Sequence, residues 1–290
     1  MKKIGMVVAF GLVAWGALPL RPVAAQQVIY SNLPAITPAN VVSFGYQANQ
    51  LAELGDLISF GGTARNLTSA TVMLSDWSYQ SEWASYANAN ATGFFVPLTF
   101  NIYNVGAANA VGSLIATLTQ NTLIPWRPEP SPAQCGPGGT QPQGDYSTFH
   151  QWYGGDGLCH GGQADLVTFD FSALNVLLPS EVIYGLAFNT QSWGYNPIGV
   201  DGPYTSLNFG ATLTPPSVGT SAAGIAAEAY GSSPAFQTDN PWTYKSMAEF
   251  RATDVGTVQA VTPEPATMSL MAFGLAGMAG VGIRRRKRSR

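Results

Sequence analysis

The chain has 290 residues, 46% of them hydrophobic and only 10% charged, with a formal net charge of −3. That figure hides an asymmetry. Nine of the thirteen basic residues lie in the two terminal segments, and residues 26–262 hold only Arg65, Arg127, Lys245 and Arg251 against fifteen acids. The middle therefore carries about −11, which speaks against nucleic acid or an anionic lipid surface as a partner.

In chain order, Lys2 and Lys3 open a charged start, residues 4–20 form an apolar core, and Val23, Ala24 and Ala25 make a small-residue cleavage site before Gln26. This is the layout of a secretory signal peptide over residues 1–25, and Pro19, Arg21 and Pro22 speak against a permanent membrane helix. The body then shows short segments of period two. Leu98, Phe100 and Ile102 alternate with Thr99, Asn101 and Tyr103, and Val167, Phe169 and Phe171 alternate with Thr168 and Asp170. Val182, Tyr184, Leu186 and Phe188 alternate with Ile183, Gly185 and Ala187, which predicts a strand covered on both faces. Residues 57–60, 70–74, 114–118 and 204–209 are further candidate strands, each bounded by turn residues, whereas 47–54 fits either a helical turn or a strand. Seven or more short strands without long amphipathic helices predict an all-β ectodomain over residues 26–253, a single β-sandwich of jelly-roll type.

Two regions break this rhythm. Residues 125–162 are rich in Pro and Gly and hold both cysteines and both histidines. An even pair of exported cysteines predicts a Cys135–Cys159 disulfide closing a loop of about 25 residues, worth roughly 3.5 kcal/mol. The rival is a metal site from Cys135, His150, Cys159 and His160, whose spacing lacks the tight pairs of zinc sites. Residues 214–240 are small and polar and read as a long surface loop, with room for a short helix at 224–230. Residues 254–262 read as a linker.

The last residues carry the sharpest signal. Pro263, Glu264 and Pro265 lead into eighteen uncharged residues, 266–283, and then into Arg284, Arg285, Arg286, Lys287, Arg288 and Arg290. Eighteen residues make a helix of roughly 27 Å at 1.5 Å per residue, close to the ~30 Å hydrocarbon core. The basic block keeps that end cytoplasmic by the positive-inside rule. The two prolines hold the chain extended, the form a protease cleft accepts. Residues 263–290 thus resemble the PEP-CTERM sorting signal, also known as the ice-binding protein C-terminal domain, a label for the tail and not for an activity. The resemblance implies export by the secretion translocon and transient anchoring in the inner membrane. It further implies cleavage near Pro263, Glu264 and Pro265 by an exosortase-type membrane protease, then residence in the envelope, at the outer surface or in the extracellular matrix. A structural or adhesive role follows from it, with a carbohydrate-binding module of the exopolysaccharide matrix as the alternative.

Chemistry is sparse in the body. With only His150 and His160 there is no G-x-S-x-G elbow, no phosphate loop and no H-E-x-x-H helix, so the expectation is a protein that is not an enzyme. A polysaccharide hydrolase would need two acids at glycosidase separation, and Glu129, Asp145, Asp156 and Asp165 lie near the long loop. Sugar binding would draw on the tryptophans of the aromatic clusters, above all Trp77, Trp83, Trp152 and Trp193, whose flat faces suit a pyranose ring. No cofactor is predicted. A structural Ca²⁺ in an acidic loop such as Asp201-Gly202 remains open, without an EF-hand pattern.

Overall fold

The structure, a computed structural model, describes residues 25–46, 49, 51–83, 89–136, 150–188, 206–230, 233–239 and 243–255. The predicted signal peptide up to residue 24, Asp145, Trp193, Asp201 and the whole sorting tail lie outside the described residues. No helix among the described residues is long and apolar enough to cross a membrane.

The strands are β1 (Gln27–Ser31), β2 (Ser43–Phe44), β3 (Leu51–Ser59), β4 (Asn66–Asp76), β5 (Ala89–Asn90), β6 (Gly93–Val105), β7 (Val111–Pro125), β8 (Trp152–Tyr153), β9 (Cys159–His160) and β10 (Gln163–Asp170). They continue with β11 (Glu181–Phe188), β12 (Leu207–Thr212), β13 (Thr220–Tyr230), β14 (Ser233–Asp239), β15 (Lys245–Ser246) and β16 (Ala248–Thr253). Two helical turns, α1 (Gln80–Trp83) and α2 (Pro132–Cys135), interrupt them.

Period two decides which side chains go inside. Phe94, Val96, Leu98, Phe100 and Ile102 of β6 are buried in the core, while Thr99 and Asn101 face outward. In β10, Val167 and Phe169 point inward and Leu166 and Thr168 outward. β11 is buried on both faces, as its sequence predicts. The inward aromatics meet at mid-sandwich: Phe100 of one sheet lies 5.2 Å from Phe169 and 5.7 Å from Phe250 of the other, ring centre to ring centre. Such aromatic pairs add about 0.5–1.5 kcal/mol each to their area burial.

The winding follows from the pairings. β4 is lined on one edge by β10, and on the other by β16 along residues 66–72 and by β12 at 74–76. β1 pairs with β16, so the first sheet runs β1, then β16 and β12 end to end, then β4, then β10. In the second sheet β3, β11, β6 and β7 are neighbours in that order. Taken along the chain, β1, β3, β4, β6, β7, β10, β11 and β12 cross between the sheets at every step except β6 to β7, a hairpin within the second sheet, which is jelly-roll winding.

One region differs from its expectation. Residues 224–230 are strand and not helix; β13 and β14 pair and extend the second sheet beside β3. Its alternation is hard to see because Ala226, Ala227 and Ala229 are small, and Ala is poor in β-propensity scales. Those small side chains let β13 lie against β3, with Ala227 packed on Leu57 and Ile183. Similarly, residues 51–54 of the segment 47–54 belong to β3, and residues 207–209 of the segment 204–209 belong to β12.

Candidate functional site

At one end of the sandwich β4 runs out at Asp76 and β10 begins at Gln163, and Arg127, Gly161 and Gly162 of the Pro/Gly-rich region pack against Trp77 beside them. The Cys135–Cys159 disulfide, with Cα atoms 5.7 Å apart, ties α2 to the β8–β9 hairpin. Both thiols are consumed, which removes the metal alternative built on Cys135, His150, Cys159 and His160.

Arg127, the first residue after Trp126 beyond β7, is the hub of this end. It is only 4% exposed. Its Nε donates to the Trp77 carbonyl at 2.8 Å and its Nη1 to the Pro128 carbonyl at 3.0 Å, while the guanidinium sits 4.5 Å above the Tyr79 ring. Tyr79 Oη lies 2.5 Å from His150 Nδ1. His150 has φ of 62°, a left-handed conformation that costs a non-glycine residue about 1–2 kcal/mol. A shallow cavity of about 170 Å³ opens beside it, lined by Pro130, Pro132, Gly136 and Gln151.

The predicted sugar-binding aromatics divide. Trp152 is 8% exposed and its Nε1 donates to the Gly162 carbonyl at 2.8 Å. Trp77 is half-buried, donates to Ser75 Oγ at 3.0 Å, and lies flat against Gly161, where a Cβ would meet its ring at 2.8 Å. Both rings thus clamp the Gly161-Gly162 dipeptide. Trp126 donates to the Asn90 carbonyl at 2.9 Å. The Trp83 side chain, like Trp193, lies outside what is described.

The acids divide too. Glu129 accepts the Ser81 N–H at 2.8 Å and its hydroxyl at 2.6 Å. Asp156, at the exposed tip of the β8–β9 hairpin, sits 2.9 Å from His160, and that hydrogen bond holds its carboxyl below the usual range. Of the three sequence candidates among the described residues, Asp165 is the one that turns inward, where burial pushes it up to about 6. Its neighbour is Asp76, which sequence reasoning missed. Register puts Asp76 opposite Gln163 and Leu74 opposite Asp165, so the two acids are diagonal neighbours on one face. Asp76 accepts the Ser78 N–H through Oδ1 at 3.1 Å. Burial drives its carboxyl well above the ordinary range, and the Asp165 charge raises it further, outweighing the lowering by Arg127. The signal was present in the alternation: Asp76 follows Val72 and Leu74 on the inward face, and Asp165 precedes Val167 and Phe169.

Two other buried acids have partners on this chain, although Asp56 Oδ2 accepts no hydrogen bond from the described residues. Asp56 of β3 lies 3.5 Å from Lys245 Nζ; burial lifts it to about 7, with Lys245 opposing. Glu53, also raised by burial, accepts from Asn101 Nδ2 at 2.9 Å and Tyr103 Oη at 3.0 Å.

The larger concavity is a groove of about 630 Å³ across the outer face of the first sheet. Loop 33–42 covers part of that face, packing Leu33 and Val41 on Met73, Ala164 and Met247. On the groove floor Thr71 and Thr168 are hydrogen-bonded at 2.9 Å and Arg251 Nε pairs with Glu249 at 2.7 Å.

Residues 261–287 match the family model described as the PEP-CTERM protein-sorting motif. Searches of curated proteins and of solved structures return no match.

Proposed function

We propose, on the premise that this chain is a PEP-CTERM sorting-signal protein exported and sorted through an exosortase, that its jelly-roll body serves as a non-catalytic structural or adhesive component of the envelope or extracellular matrix. The observation that supports this reading most is the use made of the tryptophans. Trp77, Trp126 and Trp152 spend their N–H groups on neighbouring oxygen atoms of this chain and hold loops in place. A rigid, disulfide-tied sandwich with an acidic surface suits a body that is displayed rather than one that turns over substrate.

Fractionation of the native host tests the proposal. The body is expected in the envelope or matrix fraction, ending near Pro263, Glu264 and Pro265 by mass spectrometry, and deletion of the chain is expected to weaken cell cohesion. Polysaccharide turnover by the purified body, or unchanged cohesion on deletion, would overturn it.

A second reading, carbohydrate binding, draws support from the groove on the first sheet, whose hydroxyl and charged floor could match sugar hydroxyls. Affinity electrophoresis in the matrix polysaccharide separates the two. Retardation of the wild type that disappears in Arg251→Ala favours binding, and equal mobility of both removes it.

A further inference from the structure

We infer that Asp76 and Asp165, with Gln163 between them, form the protein side of a binding site for a hard divalent cation of the Ca²⁺ class at the disulfide-tied end of the sandwich.

The first observation is convergence. Asp76 and Asp165 are diagonal on the inward face of the β4–β10 pair, and Gln163 lies directly opposite Asp76. Diagonal neighbours have Cβ atoms about 7–8 Å apart, a span that two carboxylates close from either side onto one ion. The second observation is independent of the clustering. Asp76 is 0% exposed, yet its Oδ2 accepts no hydrogen bond from the described residues, and neither does the Oδ2 atom of the half-buried Asp165, an oxygen that is itself shielded from solvent. Buried polar atoms are almost always partnered, by protein, water or ion. Here the two unpartnered atoms are anionic oxygens from adjacent strands.

Arg127 does not resolve this pair. Its Nε and one Nη are committed to the Trp77 and Pro128 carbonyls, and its influence on Asp76 is weaker than that of Asp165. Gln163 supplies a neutral oxygen. Its Nε2 faces Asp165 Oδ1 at 3.4 Å, a long contact, and turning the amide exchanges that donor for an acceptor. The donor chemistry is all oxygen. No group of three His, Cys, Asp or Glu converges among the described residues, so soft or tetrahedral metals lack their ligand set. Ca²⁺ accepts two carboxylates completed by amide and carbonyl oxygens and water, in flexible geometry. An exported body meets that ion at millimolar levels as a matter of compartment, and neutralising both acids together lets them stay ionised inside the fold.

The test uses the mature body purified from the exporting host. Terbium serves as a luminescent probe, sensitised by Trp77, the residue next to Asp76. Expected are Tb³⁺ luminescence displaced by Ca²⁺, and a melting temperature several degrees higher in millimolar Ca²⁺ than in chelator. Asp165→Asn should abolish both responses. Gln163→Ala keeps both acids and guards against a folding failure; it should weaken Ca²⁺ by about tenfold. Asp156→Asn, at the exposed hairpin tip, should leave both responses intact. The inference is overturned if the wild type melts identically with Ca²⁺, Mg²⁺ and chelator, or if Asp165→Asn keeps the full response. It is equally overturned if Asp156→Asn loses the response, which would move the ion to the hairpin tip.

Discussion

Asp56 and Asp76 both sit on inward faces of the sandwich, one in each sheet, and both are almost completely buried. Their surroundings differ in the sign of the nearest strong charge. Asp56 of the second sheet faces Lys245, carried by β15 of the first, so a cation reaches across the core to it. Asp76 has another carboxylate, Asp165, as its stronger electrostatic neighbour. In the first place a cation partly offsets burial inside the chain; in the second the nearest strong charge adds to its cost. The comparison separates a polar contact that joins two sheets from one that asks for something more.

The largest expected effect comes from removing the offset. Lys245→Met leaves Asp56 buried without its cation and should cost about 3–5 kcal/mol in urea unfolding at neutral pH. The loss should shrink in acid, because Asp56 then takes a proton and no uncompensated charge remains. Equal loss at both pH values would mean that Lys245 acts through packing alone.

Next comes the tie over the second place. The Cys135→Ser, Cys159→Ser double variant should lose roughly 3.5 kcal/mol, since the disulfide closes a loop spanning 24 positions. The melting temperature of the oxidised and variant proteins checks this.

A smaller effect, of opposite sign, is expected at Asp165. Its folded value of about 6 lies above the ordinary value of 3.8, so the folded state binds the extra proton between those limits. Stability from this group is therefore lost as pH rises through about 6 and is regained as pH falls. In chelator, Asp165→Asn should stabilise the body by about 1–3 kcal/mol near pH 8 and by almost nothing near pH 4. Wild-type stability in chelator should correspondingly rise from about pH 8 to about pH 5, helped by Asp56, whose value is also raised. A melting curve that falls monotonically with acid would contradict both shifts.

The smallest is Trp152→Phe, which keeps the ring and removes the N–H donated to Gly162. It should cost about 1 kcal/mol by thermal melting.

The strands of the central sandwich were legible because their inward residues are large. Phe100 and Phe169 announce period two against Thr, Asn and Asp. The β13–β14 hairpin was not, since alanine marks neither face strongly and only the neighbouring β3 decides that the segment is extended. The candidate site was half-legible. Asp165 stood out as an acid near the long loop, whereas Asp76 looked like the polar end of a strand, and only register across β4 and β10 brings them together. The tryptophans illustrate the reverse case. Their clustering suggested an outward platform, and the backbone of Gly161-Gly162 took Trp77 and Trp152 instead.

By itself the amino-acid order determined export, the sorting signal, the disulfide partners and the all-β class. Each of these rests on local chemistry: runs of charge, an apolar span, two cysteines and alternating side chains. Tertiary structure alone decided which acids are buried together, which tryptophans serve as anchors and how β12 and β16 share one position in the first sheet. Those outcomes depend on strands far apart in the chain meeting in one register, and a one-residue slip in that register would turn every such side chain to the opposite face.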